Sequence, residues 1–225
     1  MNTNNLRTYR VTLTGEQDLL LHNDNIRWAS YMQEWAKTPA NKPLSVAGDD
    51  RTPAHRWIGC LYIEGGRIVI PSDNLMTTLR EGGAKCPTGK RGVTFKRQTQ
   101  SGLLVNEIGW AILVNGKEVP LDKIKALEQE KEFEEHEKAV ANLGFSLFVK
   151  RARIGKAKHV RVRPRFAKGW QISGTITVMD ETITKETLHD ILTFAGRFAG
   201  LGDWRPSSPS APGPFGTFTA EVTDI

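Results

Sequence analysis

The amino-acid sequence predicts an α+β fold built on an antiparallel sheet. Several short segments alternate apolar and polar residues, which is typical of strands that bury one face. Two segments, one after Pro71 and one after Thr184, space their apolar residues as a helix does. With the insertions set aside, the order is strand, helix, strand, strand, helix, strand. That order indicates a ferredoxin-like βαββαβ core with large insertions and a protruding basic hairpin.

The first half of the chain contains two predicted helices among strand signals. In the first strand, Val11 and Leu13 alternate with polar residues. A capping residue stands ahead of Leu75, and the pair Gly82-Gly83 is typical of a helix end. The pattern predicts a strand over 6–14, a helix over 26–37, a long loop over 38–53, a hairpin over 61–70 and a second helix over 71–83.

The second half begins with a basic, glycine-punctuated segment over 84–102, for which no periodicity is evident. An apolar stripe that includes Leu188, Ile191 and Phe198 predicts the last helix. The remaining pattern predicts a strand over 103–114 that is broken at Gly109, a long helix over 121–143 and a basic hairpin with strands over 145–153 and 159–166. A core strand over 170–179, the last helix over 184–199 and a closing strand over 217–222 complete the prediction. We expect one domain over 1–225 with insertions at 23–70 and 84–168.

Composition excludes several classes of protein. The 225 residues are 39% hydrophobic and 25% charged, which excludes a disordered or fibrous chain. The two cysteines, Cys60 and Cys86, exclude a disulfide scaffold and favour a reducing, cytoplasmic setting. No apolar run reaches the roughly 18–20 residues of a membrane helix, and residues 1–5 lack the apolar segment of a secretory signal. No metal-ligand spacing or cofactor fingerprint occurs, so we expect neither group.

The charge of the chain is strongly uneven. The net charge is +6, but nine Lys or Arg fall in 150–168 and five in 85–97, with no acid in either segment. These 32 positions carry +14, so the other 193 carry −8. Such concentration of positive charge favours a polyanionic partner. The acidic run over 128–137 is interpreted as a solvated helix face. The alternatives are repulsion of nucleic acid from one face of the protein and contact with the basic hairpin of a neighbouring copy.

The basic hairpin is the strongest functional signal. In a strand, Arg161, Arg163 and Arg165 share one face at intervals of roughly 6.5–7 Å, close to the spacing of phosphates in an extended single strand. The alternatives are a solvated edge strand, since charges protect sheet edges, and docking onto an acidic protein. The absence of an acid within the segment favours nucleic-acid contact.

The basic segment over 85–97 superficially suggests a phosphate-binding P-loop. That motif requires Gly at 84 and Ser or Thr at 91, where this chain has Ala84 and Arg91. A flexible basic loop that closes over a nucleic-acid backbone fits the residues better. A plain surface loop is the alternative.

Aromatic residues offer stacking surfaces for bases. Trp204 stands beside Arg205 in a glycine-rich segment whose backbone N–H groups can approach phosphates. Stacking of Trp204 on a base and packing of Trp204 beneath the loop are equally compatible with the sequence. Trp28, Tyr31 and Trp35 are interpreted as a core or subunit-interface stripe.

Among the five histidines, His22 is the candidate for acid–base catalysis because it follows the first strand. General acid–base cleavage of RNA also needs a second proton-transfer group or a cation nearby, and the sequence shows no clear companion. We therefore assign no catalytic residue.

Two segments resemble the RAMP superfamily, the repeat-associated proteins of CRISPR effector complexes. The helix start IPSDNL at 70–75 resembles the first-helix signature of that superfamily, and GLGDWRP at 200–206 with GPFGTF at 213–218 is similar to its glycine-rich loop. The pieces LLHN at 20–23, GKRG at 89–92 and the hairpin through Arg163-Pro164 resemble uncharacterised phage and prophage proteins more closely. The resemblance implies an RRM-like fold that binds RNA, often as a head-to-tail backbone with a protruding hairpin. Some members cleave RNA with a histidine near the first strand and helix.

These observations predict a non-enzymatic phage protein that coats single-stranded DNA, favoured over RNA, with little sequence preference and as a head-to-tail homo-oligomer. The alternatives are a metal-independent RAMP-type endoribonuclease that uses His22, and an interaction protein that mimics a CRISPR backbone subunit. The predicted nucleic-acid-binding residues are Lys90, Arg91, Lys96, Arg97, Arg151, Arg153, Lys156, Lys158, Arg161, Arg163, Arg165, Trp204 and Arg205.

Overall fold

The computed structural model describes residues 6–155, 157–209 and 211–225. The strands are β1 Arg7–Gly15, β2 Leu19–Leu20, β3 Ile63–Glu64, β4 Arg67–Pro71, β5 Leu103–Val105, β6 Gly109–Ala111, β7 Leu113–Val114, β8 Lys117–Glu118, β9 Ser146–Ile154, β10 Ala157–Phe166, β11 Gln171–Val178 and β12 Phe218–Asp224. The α-helices are α1 Ile26–Lys37, α2 Ser72–Lys85, α3 Lys96–Ser101, α4 Leu121–Ala126, α5 Phe133–Asn142 and α6 Lys185–Phe194. Short 3-10 helices cover Lys42–Leu44, Ala54–Cys60 and Leu127–Gln129. No helix in the described part of the chain is long and apolar enough to cross a membrane.

The chain divides into two compact units. The first contains the chain up to Leu19, Val69–Glu118 and Ala167–Ile225, and the second contains Leu20–Ile68 and Val119–Phe166. The two insertions predicted from the sequence therefore cover most of the second unit, but residues 84–118 within the later insertion belong to the first.

The first unit is organised around β1, which pairs with a neighbour on each side. The strand order is β12-β1-β11-β7-β8, and β5 also pairs with β11. The pairs are antiparallel, with Val11 opposite Gly174 of β11 and opposite Val222 of β12. Alternation along β1 buries Val11 and Leu13, as the sequence pattern predicted. The α+β class with antiparallel sheets is confirmed.

Helix α2 begins directly at the end of strand β4. Pro71 pairs with Gly109 in the sheet and is also the N-cap of the helix, with no side-chain capping hydrogen bond. The prediction of a capping side chain is therefore wrong, because residues 72 and 73 already lie in the first helical turn. The N–H of Ser72 donates instead to the carbonyl of Ile108, at 2.8 Å.

The glycine pair in α2 does not end the helix, as the sequence predicted, because the helix continues past it. Both glycines are buried. A Cβ at Gly82 would lie 2.6 Å from the Cβ of Ala195, and a Cβ at Gly83 would lie 2.3 Å from the side chain of Thr99. The glycines are therefore needed for close packing, a requirement that outweighs their low helix propensity.

The predicted long helix over 121–143 is broken in the middle. Helix α4 ends at Ala126, and α5 begins at Phe133. Between them the Glu130 carboxylate accepts hydrogen bonds from the N–H groups of Lys131 and Glu132, at 2.7 and 2.9 Å. This local side-chain bonding replaces the helical hydrogen bonds of those amides.

The predicted helix over 184–199 changes its winding near its end. Helix α6 buries Leu188 and Ile191 as predicted, but a π-helical turn covers Ala195–Ala199. Phe198, predicted on the buried stripe, is 47% exposed. The wider π turn shifts the phase of the stripe, so its last member no longer faces the core.

Two segments contain more elements than the sequence indicated. Residues 84–102 include the short helix α3, and the predicted strand over 103–114 divides into β5, β6 and β7. The division arises because the chain changes partner: β5 pairs with β11, whereas β6 pairs with β4.

The second unit packs its core beneath the three-stranded sheet β2-β10-β9. Trp57, from the 3-10 helix Ala54–Cys60, is fully buried and donates from Nε1 to Nδ1 of His136, at 3.1 Å. Phe145 and Phe166 stack with ring centroids 5.1 Å apart. This core supports the inner end of the hairpin formed by β9 and β10, and so positions its charged side chains.

Candidate nucleic-acid interface

The hairpin of β9 and β10 places like charges directly opposite each other. Lys158 faces Arg153 across the strands, and Arg161 faces Lys150. Directly opposed side chains in an antiparallel pair lie on the same face, and like charges there repel each other. The register therefore gives the hairpin a concentrated positive field.

Three cations near the turn form the hairpin tip, defined here as Arg151, Arg153 and Lys158. All three side chains are exposed. Arg153 donates from Nε to the carbonyl of Gly155, at 3.1 Å. Among the described residues, none of the three forms an ion pair. Lys156, also predicted to bind nucleic acid, lies outside the described residues.

The arginine row further along β10 is not free of acids. Arg161 donates to Oδ1 of Asp50 at 3.0 Å, and the Arg163 guanidinium lies 3.6 Å from Oδ2 of the same carboxylate. Asp50 is buried, and the N–H of Val162 also donates to it at 3.4 Å. The segment itself contains no acid, but these two arginines are compensated by an acid from the distant loop over 38–53.

Arg165 has different partners from the other two arginines of the row. Its Nε donates to Oγ of Ser146 at 2.9 Å, and its guanidinium lies 5.9 Å from the centroid of the Phe148 ring. The three arginines share a face, as predicted, but Arg161 and Arg163 are held by Asp50 and Arg165 by Ser146 and Phe148, so they do not form a uniform ladder.

The outer edge of β10 is covered by the loop that carries Asp50. The N–H of Val160 donates to the carbonyl of Gly48 at 2.8 Å, and the N–H of Asp50 donates to the carbonyl of Val160 at 3.0 Å. Backbone pairing thus protects this edge, so protection by charge, the alternative explanation of the arginine row, is not needed here.

A cleft of about 730 Å³ opens beside the arginine row, entirely within the second unit. Arg161 and Arg163 contribute to its lining from β10, and Trp28 contributes from α1. The other polar and ionisable lining residues include His22, Asn23, Asp24, Gln33, Asp50, Arg56 and Cys60. Cations and an aromatic ring therefore share one concave surface.

Trp28 is held firmly at the cleft. Its pyrrole ring lies against Gly59, where an added Cβ would be 2.0 Å from Cδ1. Its Nε1 donates to the carbonyl of Arg56 at 3.2 Å, and its backbone N–H donates to the capping side chain of Asn25 at 3.0 Å. Trp28 is half-buried. The stripe predicted from the sequence is thus a helix face whose first tryptophan reaches a cleft.

The rest of the stripe surrounds a buried histidine. Trp35 lies edge-on to His55 with ring centroids 5.4 Å apart, and Tyr31 lies 6.4 Å from it. Burial, followed by the nearby His136 and Arg56, lowers the pKa of His55 to about 4. His55 is therefore neutral at physiological pH.

Arg56 is a third arginine among the residues that line the cleft. It donates to Oγ of Ser45 at 3.4 Å, and its Nε is buried without a hydrogen-bond partner among the described residues. A buried donor without a hydrogen-bond partner is costly. Sequence analysis assigned none of Arg56, Asp24 and Asp50 to a binding site, because their shared cleft depends on contacts between residues far apart in the chain.

His22 also contributes to the cleft lining, and its carbonyl accepts a hydrogen bond from the Tyr62 hydroxyl at 2.9 Å. The cleft thus brings His22 onto the same surface as Arg161 and Arg163. The sequence alone did not reveal that His22 shares a cleft with these arginines.

The predicted basic loop lies in the first unit. Lys90, Arg91, Lys96 and Arg97 are all exposed. Backbone hydrogen bonds close the loop, among them those from Thr88 N–H to the Val93 carbonyl and from Phe95 N–H to the Cys86 carbonyl, both at 3.0 Å. The loop presents its cations to solvent, and their role in binding remains a prediction.

The glycine-rich segment holds Trp204 and Arg205 through internal contacts of the first unit. Trp204 lies 5.4 Å from the Phe215 ring, and a Cβ at Gly213 would lie 2.2 Å from the Trp204 carbonyl oxygen. Arg205 donates to Glu81 of α2 at 3.2 Å and to Ser207 at 2.9 Å. Packing within the loop is what the structure shows for Trp204, and its stacking on a base remains a prediction.

No cluster of metal-ligating side chains occurs within the described ranges. No protein-family model and no curated protein matches the sequence. Among solved structures, Cmr6 from Pyrococcus furiosus is similar over 98% of this chain and 100% of that chain, with a TM-score of 0.39 and 11% identity. A similarity this distant does not assign the chain to a family.

Proposed function

We propose that this chain binds single-stranded nucleic acid without cleaving it, and that single-stranded DNA is favoured over RNA. The observation that carries the proposal is the hairpin tip, where Arg151, Arg153 and Lys158 are exposed without carboxylate partners among the described residues. Opposed like charges destabilise the free hairpin, and a bound polyanion relieves that repulsion.

The chemistry of the tip supports binding with weak sequence preference. Lysine and arginine contacts to phosphate fix position but carry no information about the bases. Such binding suits a protein that coats a strand, and we propose that copies assemble head to tail along it. The preference for DNA follows the phage proteins that the sequence resembles.

The topology of the first unit supports a ferredoxin-like, RAMP-like assignment. Along the chain, the elements of this core follow the order β1, α2, β5, β11, α6, β12. The four strands among them pair in the spatial order β12-β1-β11-β5. This order supports a βαββαβ core in which the first and third strands are central. We propose that the second unit is an elaboration inserted into that core within one domain.

The experiment is a fluorescence-anisotropy titration against single-stranded DNA, single-stranded RNA and duplex of equal length. The test variant changes Arg151, Arg153 and Lys158 to Ala. A matched control changes three other exposed lysines, Lys117, Lys123 and Lys125, to Ala and so removes the same charge. The proposal predicts a large loss of affinity in the test variant alone. Equal binding by both variants, or no binding by the native chain, contradicts it.

A second candidate function is metal-independent cleavage of RNA by His22. The observation that favours it is the cleft lining, which places His22 on the same surface as Arg161 and Arg163. A general acid–base mechanism uses a histidine to move a proton and cations to stabilise the developing charge. It requires RNA cleavage in the presence of a chelator that disappears in His22→Ala, and intact RNA after incubation with the native chain excludes it.

A further inference from the structure

We propose that the cleft of the second unit binds one nucleotide of the strand, with its phosphate at the arginines and its base against Trp28. The proposal rests on the proposed nucleic-acid-binding function and adds a defined site to it. It differs from the contact at the hairpin tip because it requires a base as well as a phosphate.

The size and lining of the cleft suit this ligand. About 730 Å³ lies within the range of roughly 300–1,000 Å³ that is typical of small-molecule sites. Arg161 and Arg163 of β10 and Trp28 of α1 all contribute to its lining. A nucleotide needs this pairing of a cationic surface with an aromatic one.

The charges favour an anion over a neutral ligand. Arg56, Arg161 and Arg163 contribute three positive charges to the lining, whereas Asp24 and Asp50 contribute two negative charges. The Asp50 carboxylate is close to both β10 arginines and so fixes where their guanidiniums lie before a ligand arrives. Three arginines against two carboxylates leave a net positive charge, and arginine pairs well with phosphate oxygens.

Trp28 is a suitable stacking platform because it is already immobilised. Gly59 supports the pyrrole ring, and the carbonyl of Arg56 accepts from Nε1. A ring that is fixed before binding loses little conformational freedom when a base stacks on it. Stacking of this kind tolerates every base, in agreement with the weak sequence preference proposed above.

The test titrates dTMP, dAMP and inorganic phosphate separately into the full chain by isothermal titration calorimetry. We expect saturable binding of both mononucleotides, at least tenfold tighter than that of phosphate. Trp28→Ala should weaken mononucleotide binding about tenfold, and Trp28→Phe should restore most of it. Arg56→Gln should weaken the mononucleotides and phosphate alike.

The outcomes separate this proposal from the proposed function. If the native chain binds oligonucleotides but no mononucleotide at millimolar concentration, the cleft proposal is overturned and the proposed function stands. If neither ligand binds, the proposed function also fails. If Trp28→Ala does not fold, Arg56→Gln provides the test, and unchanged mononucleotide affinity in that variant overturns the proposal.

Discussion

The guanidinium of Arg161 donates a 3.0 Å hydrogen bond to the carboxylate of Asp50, a residue 111 positions earlier in the chain. The same carboxylate lies 3.6 Å from Arg163. One buried acid therefore neutralises part of a basic face and also holds its side chains in position. This relationship divides the cations of the hairpin into an internally paired group and the exposed hairpin tip.

Replacement of Asp50 by Asn should strengthen nucleic-acid binding while it weakens the fold. The change removes the counter-ion of Arg161 and Arg163, so the positive potential of the cleft rises. The loss of a charged hydrogen-bond acceptor should cost about 1–3 kcal/mol of unfolding free energy. Anisotropy titration and urea denaturation measure the two effects.

The matched control is Asp49→Asn, which removes the partner of exposed Arg51. Equal affinities for nucleic acid in the two variants would contradict the counter-ion role of Asp50.

Stability should fall on acidification because two buried histidines are neutral in the fold. The pKa of His55 is lowered to about 4, and burial also lowers the pKa of His136, whose Nδ1 accepts from Trp57. The unfolded chain binds protons near pH 6.5, so this stabilisation is complete above that pH and is lost as the pH falls towards 4. For His55 alone, the loss at pH 5 is about 2 kcal/mol.

The test of this pH dependence is urea denaturation at pH 7.5 and pH 5. In His55→Phe, which keeps a ring among the aromatic neighbours, the difference in stability between the two pH values should shrink by about 2 kcal/mol. His189→Gln, at an exposed histidine, should leave the difference unchanged. An undiminished difference in His55→Phe would show that His55 titrates normally in the fold.

Gly174→Ala should destabilise the first unit by about 3 kcal/mol or more. A Cβ at this strand position would lie 1.9 Å from Nε1 of Trp110, a buried side chain that is also bonded to Glu107 at 2.9 Å. Backbone and ring must both move to relieve the overlap. Gly169→Ala is the control. Apart from its chain neighbours, no described residue has an atom within 4 Å of its Cβ position, and its positive φ of 88° is what opposes the change. Its expected cost is about 1 kcal/mol, and equal losses in thermal denaturation would refute the packing explanation.

The basic loop of the first unit provides a separate prediction. Simultaneous replacement of Lys90, Arg91, Lys96 and Arg97 by Ala should reduce affinity for single-stranded DNA and leave the melting temperature within a few degrees, because all four side chains are exposed. Anisotropy titration measures the affinity, and thermal denaturation followed by circular dichroism measures the melting temperature. Unchanged affinity would identify the segment as a plain surface loop, the alternative that the sequence left open.

Periodicity was sufficient to predict the strands and helices that bury one face. Helix α1 has the predicted bounds of 26 to 37, and the basic hairpin lies within a few residues of its predicted position. Prediction failed where long-range packing decides the local structure. Gly82 lies inside a helix because Ala195 packs on it, and Glu130 interrupts a helix through its own hydrogen bonds.

The candidate site shows the same limit. The exposed cations of the hairpin tip could be found from charge alone, because the segment itself contains no acid. The contact of Asp50 with Arg161 could not be found from the sequence, because it joins an irregular loop to a distant strand. For the same reason the sequence did not reveal that Trp28 and Arg56 contribute to the cleft lining, or that Glu81 pairs with Arg205.

The salt dependence of binding to single-stranded DNA tests the central claim most directly. Each phosphate neutralised on a single strand contributes about −0.7 to the slope of log affinity against log salt concentration. Replacement of Arg151, Arg153 and Lys158 by Ala should therefore make the slope about 2 units less negative, whereas the Lys117, Lys123 and Lys125 control should retain the native slope. Equal slopes in the native chain and the hairpin-tip variant would contradict the claim that the tip binds the phosphate backbone.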